Sequence, residues 1–311
     1  MDYIHKPVLL NEILEGLAVR AGGVYADGTL GGGGHAAAIC EALAGNGLLL
    51  GIDRDADAVA AARETLGALV CAKLLIRDDY KNIKRIMREN GITGLDGALL
   101  DLGVSSFQLD NADRGFSYMR DAPLDMRMDV SAGITAEDVV NEYSQDELTS
   151  VIKRYGEERW ASRISAFIVR SRREKRIRRT GDLVDIIKAA IPASARREGP
   201  HPAKRTFQAV RIEVNGELDG LDEALNAFID CLNPRGRLCV ITFHSLEDRV
   251  AKEVFAAREN PCVCPERLPV CVCGRYPDGR RITRKPITAS EDELSENPRA
   301  RSAKLRIFEH I

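Results

Sequence analysis

The sequence predicts an α/β fold in which a parallel sheet, covered by helices on both faces, is interrupted by an inserted helical domain. Three observations predict it. Apolar runs alternate with helix-forming segments over the first hundred residues, the alternation then gives way to a long helical stretch, and four successive apolar runs end near an acid. Because ligands bind at the carboxyl ends of parallel strands, we expect these acids to share one binding edge. They are Asp27, Asp53, Asp79 and Asp101.

Local patterns predict the elements of the first part of the chain. Continuous apolar runs are typical of strands that are buried on both faces of a parallel sheet. Between these runs, an Ala-rich segment, a stretch capped by Asp55 and the helical spacing of Ile83 and Ile86 predict helices. The predicted strands are residues 23–26, 48–52, 74–77 and 95–101.

The middle of the chain departs from this alternation. Residues 102–132 have no clear period, whereas residues 135–192 are predicted to be helical throughout, beginning with a capping-box sequence at Thr135. Strand patterns return at residues 238–243 and 304–308. We therefore expect one discontinuous domain interrupted by a second. The expected domains are residues 1–110 with 206–311, and the inserted residues 111–205.

Composition limits the class of protein. With 44% hydrophobic residues and a net charge of −2, the 311-residue chain can form a globular core and is not a polycation as a whole. It has no apolar run of membrane-spanning length and no signal-peptide pattern, so we expect a cytoplasmic protein without a membrane partner. Eight cysteines in that compartment argue against a disulfide framework. Four of them are expected to be buried singly: Cys40, Cys71, Cys231 and Cys239.

A glycine-rich turn follows the first predicted strand, with five glycines from Gly28 to Gly34. A strand, a glycine turn and a helix allow a nucleotide-like ligand to approach the backbone, because no Cβ blocks it. Asp53, at the end of the second strand, can accept hydrogen bonds from both hydroxyls of a ribose. Turn and acid together predict an adenosyl cofactor, although a purely structural turn is an alternative interpretation.

The glycine spacing disfavours a dinucleotide. The third glycine of the G-x-G-x-x-G pattern would fall on Ala36 or Ala38, and Asp27 would repel a pyrophosphate. A ligand that carries positive charge and no phosphate suits Asp27 better. We therefore expect S-adenosylmethionine, which has a sulfonium and an ammonium group.

Asp101 is the candidate catalytic residue. An exocyclic amine is a weak nucleophile because its lone pair is delocalised into the ring, and a carboxylate that accepts its N–H restores nucleophilicity. The alternative interpretation is that Asp101 only caps a turn. Farther along the chain, His244 and Ser245 follow a predicted strand, but hydrolysis is disfavoured because no G-x-S-x-G pattern accompanies them.

Part of the predicted insertion is strongly basic, with Glu174 as a single acid among eight cations. This composition is typical of a phosphate-binding surface, although a solvated helix face with internal ion pairs would share it. The linker that follows adds further basic residues, including His201. The eight cations are Arg163, Arg170, Arg172, Arg173, Lys175, Arg176, Arg178 and Arg179.

A proline-rich segment contains two C-x-C pairs, Cys262 with Cys264 and Cys271 with Cys273, which together span twelve residues. Four thiolates can complete a tetrahedral zinc site, and a reducing compartment favours metal over disulfide. The usual spacing in structural zinc sites is C-x-x-C. The sequence therefore leaves two interpretations, a structural zinc site and an exposed loop without metal.

Eight sequence blocks, in order over nearly the whole chain, closely resemble the bacterial RsmH (MraW) family. The resemblance implies a Rossmann-like S-adenosylmethionine-dependent methyltransferase fold with an inserted helical domain. It also implies methylation of N4 of a cytidine in the decoding region of 16S ribosomal RNA, with this RNA or the small ribosomal subunit as partner. The blocks are Asp27-Gly-Thr-Leu-Gly-Gly-Gly-Gly-His, Asp101-Leu-Gly-Val-Ser-Ser-Phe-Gln-Leu-Asp, Arg114-Gly-Phe-Ser-Tyr-Met, Pro123-Leu-Asp-Met-Arg-Met-Asp, Tyr155-Gly-Glu-Glu-Arg, Arg205-Thr-Phe-Gln-Ala-Val-Arg-Ile, Phe243-His-Ser-Leu-Glu-Asp-Arg and Glu296-Asn-Pro-Arg-Ala-Arg-Ser.

The resemblance further implies which residues bind the cofactor. Asp53 would bind the ribose, and the ring of Tyr80 would pack on the adenine. Other amino-methyltransferases carry (Asn/Asp/Ser)-Pro-Pro-(Tyr/Phe) where this chain has Asp101-Leu-Gly-Val, so no aromatic clamp on the target base is assigned. The implied cofactor contacts are Gly33, Gly34, His35, Asp53, Tyr80, Asp101 and Gln108.

Two rival functions remain open from the sequence. One is a DNA or protein methyltransferase, and the other is a non-catalytic ribosome-assembly factor that binds the cofactor as a structural ligand. The sequence indicates no oligomeric state, and it does not distinguish free RNA from an assembled subunit as substrate.

Overall fold

A computed structural model describes residues 7–105, 108, 111–197, 199–265, 270 and 272–311. The chain divides into two compact units. The first contains the residues up to Gly103 and from Gly220 onward, and the second is Val104–Asp219. The strands are β1 (Val24–Asp27), β2 (Leu48–Asp53), β3 (Ala72–Arg77), β4 (Leu95–Asp101), β5 (Leu232–Thr242), β6 (Gly279–Arg281) and β7 (Lys304–His310).

Each unit has its own helices. Those of the first unit are α1 (Leu10–Leu17), α2 (Gly34–Ala42), α3 (Ala56–Leu66), α4 (Ile83–Glu89), α10 (Leu221–Asp230), α11 (Ser245–Glu259) and α12 (Glu291–Glu296). Those of the second are α5 (Ala136–Glu142), α6 (Gln145–Gly156), α7 (Ala161–Glu174), α8 (Thr180–Ala190) and α9 (Lys204–Asn215). Among the described residues, none of these helices has the length and hydrophobicity needed to cross a bilayer.

The first unit is built on a seven-stranded sheet with the order β3-β2-β1-β4-β5-β7-β6. Strands β1 to β5 pair in parallel, and β7 is antiparallel to both β5 and β6. The α/β fold predicted from the sequence is therefore confirmed. The strand order reverses at β1, which pairs with β2 on one side and β4 on the other, so the carboxyl ends of β1 and β4 form a topological switch point.

Burial explains why the parallel strands of the first unit could be predicted from apolar runs in the sequence. Leu50, Ile52, Ala98 and Leu99 are fully buried, because helices cover both faces of the sheet. The antiparallel edge was not predicted. Strand β6 has only three residues, which is too short for a period to show, and β5 begins at Leu232 rather than at 238.

The second unit has a hydrophobic core of its own, formed by residues such as Val140, Leu148, Ile164, Leu183 and Phe207. The helical character expected of residues 135–192 is confirmed, and turns divide this stretch into α5, α6, α7 and α8. The capping box predicted at the start of α5 is present, with hydrogen bonds in both directions between the cap residue and the third residue of the helix.

The second unit extends beyond the insertion expected at residues 111–205, since it begins at Val104 and ends at Asp219. The reason lies in α9, whose Phe207 and Val210 belong to the core of this unit. In addition, Asn215 at the end of α9 donates to the carbonyl of Met126, at 2.7 Å. Helix α9 was assigned to the wrong side of the boundary because its sequence does not reveal which core it joins.

The expectation of singly buried cysteines is wrong for one pair. Cys40 on α2 and Cys71 form a disulfide, with their Cα atoms 5.6 Å apart. Cys239 on β5 is buried as expected, and burial raises the pKa of its thiol to about 12.

Candidate active site

The glycine-rich turn joins β1 to α2 at the switch point. Gly31 and Gly33 have φ angles of +50° and +83°, which L side chains rarely adopt, so glycine is needed at both positions. The amide of Gly33 donates to the Leu30 carbonyl at 2.8 Å. A Cβ on Gly32 would meet no described atom within 4 Å beyond its chain neighbours, so the turn has an open side. A ligand can approach the backbone there.

Asp53, the last residue of β2, holds the turn in place. Its Oδ2 accepts the amide of Gly31 at 2.8 Å, and its Oδ1 accepts the amide of Asp55 at 2.9 Å. Burial raises the pKa of this carboxyl, and the two backbone hydrogen bonds act in the opposite direction. Each carboxylate oxygen has a second lone pair, so Asp53 can still accept two hydroxyl groups.

Asp27 ends β1 and is 1% exposed. Its Oδ1 accepts the amide of Thr29 at 3.1 Å. Burial raises its pKa to about 7, and the neighbouring carboxylates of Asp101 and Asp53 add to this rise, whereas His35 lowers it. Three carboxyl groups thus converge on one edge of the sheet, which favours a positively charged ligand.

Asp101, the last residue of β4, is fixed through its backbone, since its amide donates to Thr29 Oγ1 at 2.6 Å. Its side chain is 26% exposed, and Oδ1 is buried and accepts no hydrogen bond from the described part of the chain. Burial raises its pKa to about 7, with a further contribution from the charge of Glu247. A buried acceptor without a donor is costly, and a bound ligand or substrate can supply the missing donor.

His35 is buried at the start of α2, between a carbonyl and a carboxyl group. Its Nε2 lies 2.9 Å from the Val8 carbonyl, which can only accept, so Nε2 carries a proton. Burial lowers its pKa, and the charge of Asp27 acts in the opposite direction. Its Nδ1 lies 3.7 Å from Asp101 Oδ2, which is too far for a hydrogen bond.

Two further residues predicted to contact the cofactor, Tyr80 and Gln108, lie in different parts of the structure. Tyr80 begins a 3₁₀ turn after β3, and its Cβ lies 3.2 Å from the position that a Cβ on Gly28 would occupy, so it borders the turn after β1. Gln108 belongs to the second unit, where its Oε1 accepts the amide of Ser105 at 3.1 Å. Its cofactor contact stays a prediction.

Sequence reasoning missed the role of Glu247. Its Oε2 accepts the amides of Phe243 and His244, at 2.9 and 3.3 Å, while His244 Nδ1 accepts the amide of Glu247 at 3.3 Å. His244 therefore caps α11, which agrees with the rejection of a hydrolase pair. The H-x-x-E spacing directly after a strand was the available signal, because it matches a capping box.

The basic segment of the insertion is only partly available to a ligand. Arg176 pairs with Glu137 and Glu142, at 2.6 and 2.7 Å, and Arg179 pairs with Asp121 at 2.5 Å. Other cations of the segment remain exposed and form no ion pair with any residue that the structure describes. They are Arg163, which lies over the ring of Phe167, and Arg170, Arg173 and Arg178.

The cysteine-rich segment lies between α11 and β6. The sulfur atoms of Cys262, Cys264 and Cys273 lie within 4.8 Å of one another. Cys271, the remaining member of the predicted zinc set, falls outside the described residues.

Comparison with known proteins assigns the chain to a family. Residues 2–311 match the model of the MraW methylase family. A relative from Acetivibrio thermocellus, named ribosomal RNA small subunit methyltransferase H, is 55% identical over 100% of both chains. Proteins of the same name from Lachnospira eligens and Clostridioides difficile are 53% and 52% identical, over 100% of this chain and 99% and 100% of theirs.

Similarity to solved structures is weaker. An rRNA methylase from Streptococcus thermophilus is 13% identical, with a TM-score of 0.42 over 99% of this chain and 98% of that one. The family assignment rests on the sequence matches, which run from end to end, and it confirms the resemblance of the eight blocks. The chain belongs to the MraW methylase family.

Proposed function

We propose that this protein transfers a methyl group from S-adenosylmethionine to N4 of a cytidine in the decoding region of 16S ribosomal RNA. One observation carries the proposal: three buried or half-buried carboxyl groups converge beside an open glycine turn at the switch point of a parallel sheet. The names of the full-length relatives support small-subunit ribosomal RNA as substrate. The cytidine and its decoding-region position are expectations from the sequence blocks.

The residues at the sheet edge fit this cofactor. Asp53 has two free lone pairs for the ribose hydroxyls, and the turn leaves its backbone open to the ligand at Gly32, next to the predicted contacts Gly33 and Gly34. Tyr80 borders the turn and would pack on the adenine. The cationic groups of the cofactor suit a site that contains the carboxyl groups of Asp27 and Asp101, because a nearby positive charge favours their ionised form. When bound, the cofactor supplies an electrophilic methyl group.

Asp101 would prepare the target amine. Its carboxylate is 26% exposed and would take an N–H from the amine, and so draw electron density toward the nitrogen. The carboxylate form is needed for this, and a pKa of about 7 makes that form abundant at neutral pH. Most of the remaining acceleration would come from alignment of the amine with the methyl group.

The target base must leave its helix to be methylated. An A-form helix hides the exocyclic amine in a groove that side chains cannot read, so the cytidine has to be splayed out. The exposed arginines of the second unit supply positive charge that would hold the RNA backbone around it.

Methyl transfer to purified ribosomal particles tests the proposal. With a labelled cofactor, we expect label in 16S RNA of small-subunit particles, and N4-methylcytidine after digestion to nucleosides. Large-subunit particles are the matched control and should stay unlabelled. Label in DNA or in a ribosomal protein would contradict the proposal. Tight cofactor binding without any transfer would favour an assembly factor instead.

The exposed arginines give a prediction about RNA binding. Changing Arg170, Arg173 and Arg178 to glutamine should weaken RNA binding, because phosphate contacts add affinity by releasing counterions. Each lost contact should also reduce the steepness of log affinity against log salt by about 0.7–0.9. Titrations at several salt concentrations measure this slope. Cofactor affinity should not change, and turnover should recover at saturating RNA.

The matched control is the double change of Arg176 and Arg179 to glutamine. These two arginines lie in the same segment but are already paired with acids, so their loss should change the salt slope far less. Equal slopes for the triple variant and the parent would show that this surface does not contact RNA.

A further inference from the structure

The segment between α11 and β6 has no part in the proposed methyl transfer, yet it concentrates thiols. Cys262 and Cys264 come from one C-x-C pair and Cys273 from the other. We propose that these three thiols bind a zinc ion, which ties the segment into a compact knuckle. No catalytic step is assigned to the metal.

The distances between the sulfur atoms carry the proposal. The Sγ atoms of Cys262 and Cys273 lie 3.9 Å apart, and all three lie within 4.8 Å of one another. Zinc–sulfur bonds of about 2.3 Å in a tetrahedron place the sulfur atoms about 3.8 Å apart. One pair therefore already has the spacing of two ligands on the same ion, and the third sulfur needs a shift of roughly 1 Å or less.

A backbone contact supports the same site. The amide of Val272 lies 3.4 Å from Cys264 Sγ and donates to it. Such N–H donors stabilise the thiolate form and orient it toward a metal, as in the outer shell of known metal sites. The hydrogen bond spans eight residues, so it also brings the two C-x-C pairs together.

The apolar side chains described in this segment are not packed into a core. Val263, Val270, Val272 and Tyr276 are between 63% and 83% exposed, so their side chains add little to any core. Segments of this kind are commonly held by a metal or another cross-link instead. A metal at the three thiols would replace the missing core.

The ends of the segment are already fixed. Arg258 near the end of α11 pairs with Asp278, and Glu259 pairs with Arg281 of β6. Because these pairs bring the two ends together, a metal would have to order only the residues between them. This lowers the entropic cost of forming the site.

The donor set indicates which metal. The cluster consists of cysteines alone, and thiolates favour zinc over magnesium or calcium, which prefer oxygen ligands. A structural zinc site needs four ligands. The sequence offers Cys271 for the fourth position.

Metal analysis of the purified, untagged protein tests the proposal. Prepared under reducing conditions with zinc, it should contain about one equivalent by mass spectrometry of the metal. Serine at position 262, 264 or 273 should lower the zinc content at least about fivefold. Cys231→Ser, which lies outside the cluster, is the matched control and should keep the metal. Loss of zinc in Cys271→Ser would identify the fourth ligand.

Cobalt substitution gives a second readout that is independent of activity. Cobalt bound by thiolates in a tetrahedron has intense visible absorption, which the cluster variants should lose and Cys231→Ser should keep. Thermal unfolding and cofactor titration check that the variants are folded. A metal-free parent after reconstitution, or a triple serine variant with the zinc content of the parent, would overturn the proposal.

Discussion

Alanine in place of Asp53 is expected to lower the affinity for S-adenosylmethionine at least about tenfold. The change removes a charged acceptor for two ribose hydroxyls, and hydrogen bonds to charged groups contribute about 1.5–3 kcal/mol each. A loss of about 1.4 kcal/mol already amounts to tenfold in the dissociation constant. The turn would also lose its tie to the Gly31 amide. Calorimetric titration with the cofactor measures the effect.

Two variants make this result specific. Asp53→Asn keeps one acceptor oxygen but cannot serve both Gly31 and Asp55, so its affinity should be intermediate. Asp96→Ala is the matched control, because Asp96 also accepts a backbone amide, that of Val24, but lies at the opposite end of β4. An unchanged dissociation constant in Asp53→Ala would overturn the ribose assignment.

The parts of the site that could be predicted are those set by short stretches of sequence. The turn could be predicted because the positive φ angles at Gly31 and Gly33 require glycine, and the cluster of glycines can be seen in the sequence. The positions of Asp53 and Asp101 at strand ends could be predicted because each ends a continuous apolar run. Parallel topology then places such residues at one edge without any knowledge of their contacts.

Long-range contacts could not be predicted. The ion pairs of Arg176 reach Glu137 and Glu142 on α5, more than thirty residues away, so composition alone overstated the free charge of the basic segment. The same limit applies to Cys40 and Cys71, which are 31 residues apart. Their apolar neighbours correctly indicated that Cys40 is buried, but Cys71 is only half-buried, and the pairing was not indicated.

The electrostatics of Asp101 also depend on residues from distant elements. The sequence identifies a carboxyl group at the end of β4, but it does not show that the group is buried without a hydrogen-bond donor to its Oδ1 in the described residues. Its raised pKa arises from burial and from the charge of Glu247 on α11, and its Oδ1 has no donor among the described residues. Only the fold brings His35 and Glu247 close to it, and this arrangement leads to the second large prediction.

Asp101→Asn should lower turnover by about 10²- to 10⁴-fold, the usual contribution of a positioned proton acceptor, while cofactor affinity changes much less. In the parent, the pKa of Asp101 is raised from 3.8 to about 7, so the carboxyl is protonated below that pH and charged above it. Since the charged form is the one that accepts the amine N–H, turnover should rise as the pH passes through about 7 and then level off. Single-turnover methyl transfer, measured across this range, tests both expectations.

The pH profile of the variant distinguishes Asp101 from its neighbour. Asp27 has a pKa that is also raised to about 7, so either carboxyl could produce a rise in the parent. Asparagine at position 101 does not titrate. If Asp101 is the acceptor, the profile of the variant should therefore be flat near neutrality. A variant that is slow but keeps the rise would assign the titration to Asp27. Full activity in the variant would leave Asp101 as a turn residue, because a group that activates the amine cannot lose its charge without effect.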